Sequence, residues 1–190
     1  MSNTDSPTGF RPVRHRTGAR IVQNAYSIAS GYTEDIFKGD PVALTGTGTN
    51  IALSAADDTN AIGIFAGCEW TPTNGGKRVF SKYWPDDQTG TDIVAYVWDD
   101  PWIVFEAQGN TVAEADVGLG AQWVDGSGST VTGLAAGYLD VSGTGAATDV
   151  QMRIERLVPK DDNAYGAYAK VECTFMEHAL LNVVAGVGGA

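Results

Sequence analysis

Val150, Met152 and Ile154 alternate with Gln151, Arg153 and Glu155. A period of two belongs to a strand with one buried face. Ala169, Val171, Cys173 and Phe175 alternate in the same way with Lys170, Glu172 and Thr174, and predict a second strand. The segment between them, Pro159-Lys-Asp-Asp-Asn-Ala-Tyr-Gly166, is rich in turn formers. The two strands therefore read as an antiparallel hairpin with a long loop. Cys173 falls on the apolar face and reads as a small core residue.

The same punctuation runs through the first half of the chain. Asp40-Pro-Val-Ala-Leu44 is a short strand entered through a Gly39-Asp40 turn. The loop Thr45–Asn50 leads to the strand Ile51–Leu53, and Ala55–Asn60 turns the chain into Ala61–Phe65. Strands about ten residues apart with turn signals between them mark an all-β barrel or sandwich. Ile93 to Trp98 is apolar on both faces, so that strand is either central or covers a subunit interface. Ile103–Glu106 follows it after the turn Asp99-Asp-Pro101.

One helix is expected. Thr111-Val-Ala-Glu114 fits a capping box, and Gly118 can close a helix of about two turns. Gly126–Thr130 and Gly143–Thr148 read as exposed loops. Asp35-Ile-Phe-Lys-Gly39 and Asp116-Val-Gly-Leu-Gly120 echo one another, but two matched positions are read as shared turn chemistry rather than duplication. The fold expected is mainly β, a compact barrel or sandwich with one short helix and an extended N-terminal arm. The chain divides into a basic arm and first strand (1–33), a β-rich domain (34–180) and an apolar, glycine-containing tail (181–190).

Charge separates the arm from the body. The 190 residues carry 12 Lys+Arg and 23 Asp+Glu, a net charge of -11. The arm holds Arg11, Arg14, Arg16 and Arg20 against Asp5 alone, whereas no Lys or Arg lies between Tyr83 and Met152. A basic head on an acidic body gives two surfaces with different tasks. Phe10, Arg11, Arg14, Arg16 and Arg20 are therefore the candidates for binding an acidic partner or a neighbouring copy. Tyr96, Trp98, Trp102, Leu180 and Leu181 are the candidates for a subunit contact. Trp70, Trp84, Trp98 and Trp102 border loops, where an aromatic either pins the loop or anchors a partner.

Several classes of function are disfavoured. The acidic surface argues against nucleic acid, and no apolar run reaches the length of a membrane span. The polar start, Met1 to Gly9, predicts no secretory leader. Two Cys and two His leave little for a zinc site or a histidine-based triad. The acid pairs Asp57-Asp58, Asp86-Asp87, Asp99-Asp100 and Asp161-Asp162 fall in turns, where Asp bonds its own backbone. Asp86-x-Gln88-x-Gly90-x-Asp92 is loosely like a calcium loop but lacks the distal Glu. The expectation is no enzyme, no catalytic residue, no cofactor and no metal.

A series of phrases carries a resemblance: Gly9-Phe-Arg-Pro-Val-Arg14, Tyr26-Ser-Ile-Ala-Ser-Gly31, Asp35-Ile-Phe-Lys-Gly-Asp-Pro-Val42, Phe80-Ser-Lys-Tyr-Trp84, Asp99-Asp-Pro101 and Arg153-Ile-Glu-Arg-Leu-Val-Pro159. Together they resemble the head decoration, or cement, proteins of tailed phages, over about Gly9 to Leu180. Lys38–Leu44 followed by Ile62-Gly-Ile-Phe65 also resembles the smaller lambda-like decoration proteins. The resemblance implies a β-tulip-like fold and a homotrimer made in the host cytoplasm. It places the protein on the outer surface of the virion capsid, bound to the major capsid protein. The alternative is a virion-surface glycan- or host-binding module that stacks its loop tryptophans on sugars.

Overall fold

The structure is a computed structural model and describes residues 3–55, 58, 60–142 and 150–181. Its described residues form sixteen strands. The first eight are β1 (Arg11–His15), β2 (Asn24–Ile28), β3 (Ile36–Phe37), β4 (Pro41–Leu44), β5 (Asn50–Leu53), β6 (Ala61–Pro72), β7 (Val79–Ser81) and β8 (Tyr83–Trp84). The rest are β9 (Gly90–Trp98), β10 (Ile103–Gln108), β11 (Thr111–Val112), β12 (Gly120–Val124), β13 (Tyr138–Asp140), β14 (Met152–Leu157), β15 (Gly166–Ala167) and β16 (Lys170–Phe175). The mainly β expectation holds, and the barrel is there.

Five strands close that barrel in the order β4-β5-β2-β9-β6, with β4 pairing back onto β6. The length of β6 makes closure possible. Its first half pairs with β4, its second half with β7, and β9 runs along both. Bulges between Phe65 and Gly67 and between Glu69 and Thr71 bend it around the barrel. Ile28, Val42, Ile51, Ile62, Phe65, Ala95 and Val97 fill the interior with Trp84.

A second sheet, β1-β10-β16-β14-β12-β13, covers one wall of the barrel. The expected hairpin is present as the antiparallel pair β14–β16. Asn163 ties its loop, donating to the carbonyls of Val158 and Lys170 and accepting from the Lys170 amide. Phe105, Val171, Cys173, Phe175, Met152, Ile154 and Trp123 form a second core, joined by Ile64 and Trp98 from the barrel wall. Where Ile64 and Trp98 pair, β6 and β9 thus have a core on each side. The strand Ile93 to Trp98 is central, between β2 and β6, and Trp98 is buried within the chain.

The helix is smaller than expected. Thr111 belongs to β11 and pairs with Ala167, so it caps nothing. A single 3-10 turn spans Glu114–Asp116, and the Asp116 carboxylate accepts the Ala113 amide at 2.7 Å. Strand pairing outcompetes the capping box because Val112 is fully buried and has to stay in the sheet. Gly118 ends the turn at a φ of 91°.

The N-terminal segment is extended, but it lies on its own body. Asn3 bonds the carbonyls of Ala164 and Ala167, and the Ser6 amide donates to Gln108. Phe10 sits in the second core with its amide on the Gly39 carbonyl. Strand β1 then forms the sheet edge against β10. The loop expected at 143–148 lies outside the described residues, as do residues 182–190 of the tail.

Candidate interaction surface

The arginines of β1 meet acids of the neighbouring strands. On the outer face of the second sheet, Arg11, Glu106, Glu172 and Arg156 stand at one level across β1, β10, β16 and β14. Arg14 reaches Glu172 at 2.9 Å and Glu155 at 3.0 Å, and Arg156 reaches Glu172 at 2.7 Å. Lys160 lies 3.1 Å from Glu106, while Arg16 pairs with Glu155. Burial alone would raise the Glu172 carboxyl; Arg156 and Arg14 outweigh it and hold the group below its ordinary range. Arg14 is thus bound to its own chain, and Phe10 is buried. Arg11, Arg16 and Arg20 remain exposed.

The turn that follows β9 positions the most exposed tryptophan. Asp100 accepts the Trp102 amide at 2.9 Å and faces His15 Nε2 at 3.0 Å. The Trp102 carbonyl accepts the Arg16 amide, which locks the turn to the end of β1. Trp102 is 44% exposed, whereas Trp70, Trp84, Trp98 and Trp123 are buried. The loop tryptophans are therefore mostly pins, and a sugar platform built on four of them is not present.

Trp102 has company. A groove of about 240 Å³ is lined by Arg16, Pro101, Trp102, Arg153, Met176 and Leu181, among others. Met176 and Leu181 are 46% and 41% exposed, and Leu180 beside them 61%. The structure thus brings Arg16, Trp102 and Leu181, expected separately from the arm, a loop and the tail, onto one surface. Exposed apolar side chains grouped beside arginines mark an interaction site. Tyr96 and Trp98 lie elsewhere. The Tyr96 hydroxyl donates to Glu69 at 2.9 Å, and the Lys38 ammonium lies 5.4 Å from the centre of the Trp98 ring.

Sequence reasoning missed Arg153 and Met176. Arg153 was legible as an outward position of β14, but its closeness to Arg16 depends on the order of strands. Met176 gave no signal, because it follows the last residue of the alternating run.

One arrangement resembles a hydrolytic triad. Thr17 Oγ1 lies 2.9 Å from His15 Nδ1, with Asp100 on the other ring nitrogen. The Thr17 amide also donates to Nδ1 at 3.2 Å, so that lone pair already holds the turn, and the ring is buried. This is turn-building geometry. Among the described residues no three His, Cys, Asp or Glu come together to hold a metal ion, and no helix is long and apolar enough to cross a membrane. The two cysteines are unpaired and buried, and burial pushes the Cys68 thiol up to about 12. Comparison of the chain with protein-family models, with curated proteins and with solved structures finds no match.

Proposed function

We propose that this protein is a virion structural protein. It binds the outer surface of an assembled phage capsid through the major capsid protein and neighbouring copies of itself, and performs no chemistry. The observation that carries this reading is the Trp102–Met176–Leu181 surface flanked by Arg16 and Arg153. It supplies an apolar anchor for docking and cations for an acidic rim, on a sheet stiffened by ion pairs. The partner is inferred from phrases that resemble those of decoration proteins. A protein that binds only the assembled shell stabilises that shell by linkage. Many copies, acting as homotrimers, turn modest contacts into avidity.

The test is co-sedimentation with undecorated, expanded capsids. Saturable binding at a fixed ratio per capsid subunit, with a raised shell melting temperature, is the expected result. Trp102→Ala combined with Met176→Ser should weaken binding at least about tenfold, as removal of an interface anchor does. Absence of binding by the unaltered protein would overturn the reading. A monomer by sedimentation velocity, both free and recovered from shells, would remove the trimer.

A further inference from the structure

On the barrel side, away from the arginine-flanked groove, a pocket of about 400 Å³ is lined by Glu34, Asp35, Asp40, Asp86 and Asp125, with Phe37 and the loop 126–128. Most acids buried elsewhere have cationic partners; Asp99 instead accepts from Asn24 and the Tyr26 hydroxyl. Glu106, Glu155 and Glu172 each have Lys or Arg partners, and Glu69 has Arg78. Among the described residues no Lys or Arg lies within 4.0 Å of any of the five pocket carboxylates.

Asp40 is the second, independent observation. It is 1% exposed, and its Oδ2 accepts the Phe37 amide at 2.7 Å. Asp40 lines the pocket, and its Oδ1 is buried with no hydrogen-bond partner. An unmade hydrogen bond at a buried carboxylate is costly, and native structures rarely keep one without a reason. Burial raises the Asp40 carboxyl, and Asp125 adds like-charge repulsion. Burial raises Asp125 too, with Glu34 adding repulsion. The pocket has no Lys or Arg in its lining, and Asp40 Oδ1 has no donor.

We infer that this pocket receives a guanidinium group, the arginine side chain of a partner protein, which donates to Asp40 Oδ1 and is surrounded by the carboxylates of Glu34, Asp35, Asp86 and Asp125. The chemistry favours a spread cation over a metal ion. The acids are distributed around the cavity, and no three of them converge on a point that one ion could occupy. A guanidinium has five donors in a planar fork and loses less hydration than an ammonium or a small ion, so it can serve several separated carboxylates. This inference is independent of the capsid reading, and either can fail without the other.

The test uses the full chain and three peptides, acetyl-Gly-Arg-Gly-amide and its lysine and citrulline counterparts, at constant ionic strength. Binding is followed by calorimetry and by the backbone amide resonances of Phe37, Ser127 and Gly128. Saturable binding of the arginine peptide is expected, with none for the neutral citrulline peptide and weaker binding of lysine. Asp40→Asn should weaken the arginine peptide at least about tenfold. Asn keeps an acceptor for the Phe37 amide, so the variant should fold. Asp125→Asn, which removes a charge closer to the rim, provides the same test if it does not. The inference is overturned if the arginine peptide fails to bind, or if both variants bind it as well as the parent. Equal binding of lysine also overturns it, as does saturable occupancy by calcium chloride without an effect of arginine.

Discussion

Glu106 and Glu172 stand directly opposite each other on adjacent strands, both under 10% exposed. Two like charges in register destabilise a sheet. Here Lys160 and Arg11 answer one, while Arg14 and Arg156 answer the other. The pairing makes the outer face an ionic ladder rather than a set of separate surface pairs. Arg14 holds two acids, so Arg14→Ala should destabilise the fold by about 1–2 kcal/mol, between the values for exposed and buried pairs. Glu172→Gln in the same chain should recover part of that loss. Urea midpoints of the single and double variants measure the coupling.

Asp40 and His178 give stability opposite dependences on pH. Burial raises Asp40 to about 7, so between about pH 4 and 7 the folded state keeps a proton that the unfolded chain has released. Its contribution falls as pH rises through that window and is constant above it. Burial lowers His178 to about 4, so the folded state excludes a proton that the unfolded chain takes up below about pH 6.5. That contribution is lost as pH falls. Asp40→Asn should therefore raise stability at pH 8 relative to the parent by roughly 2–4 kcal/mol and leave it nearly unchanged at pH 4. Thermal melts across pH 4 to 8 measure both limbs, and a flat difference between the two proteins would contradict the assignment.

Gly9 fixes the docked N-terminal segment. Its φ is 66°, and a Cβ there would come within 2.7 Å of the Gly39 carbonyl oxygen, the acceptor for Phe10. Gly9→Ala meets left-handed strain and a backbone clash together, at a cost of about 2 kcal/mol or more. Trypsin should then cleave after Arg14 or Arg16 faster than in the parent, because Phe10 leaves its seat. Unchanged cleavage would mean that β1 is held by its ion pairs alone.

Trp102 should be the one tryptophan of five that a solute quencher reaches, since the other four are buried. Iodide should quench a single red-shifted component, and Trp102→Phe should abolish it. If the groove docks on a capsid, that component should become protected in the bound state.

The strands with strict alternation, β14 and β16, were legible because one face meets a core and the other meets water. The turn-punctuated strands β4 and β5 were legible because glycine, asparagine and aspartate set the local backbone. The helix at Thr111 was misread because a local capping pattern carries no information about β15, which claims Thr111 and Val112 from more than fifty residues away. The arginines of β1 were read as reaching outward because their acids, Glu106, Glu155 and Glu172, lie about ninety or more residues along the chain.

By itself the sequence determined the β class, the position of seven of the sixteen strands, and the contrast between a basic start and an acidic middle, since these follow from periodicity, turn chemistry and composition. Only the tertiary structure decided which strands neighbour which. That order closes the barrel through β4 and β6 and puts Trp98 between two cores. It also turns the basic segment into a sheet edge, gathers Trp102, Met176 and Leu181 beside Arg16, and leaves Asp40 facing an acidic pocket. Each of these depends on contacts between residues far apart in the chain, and no local pattern encodes a contact of that range.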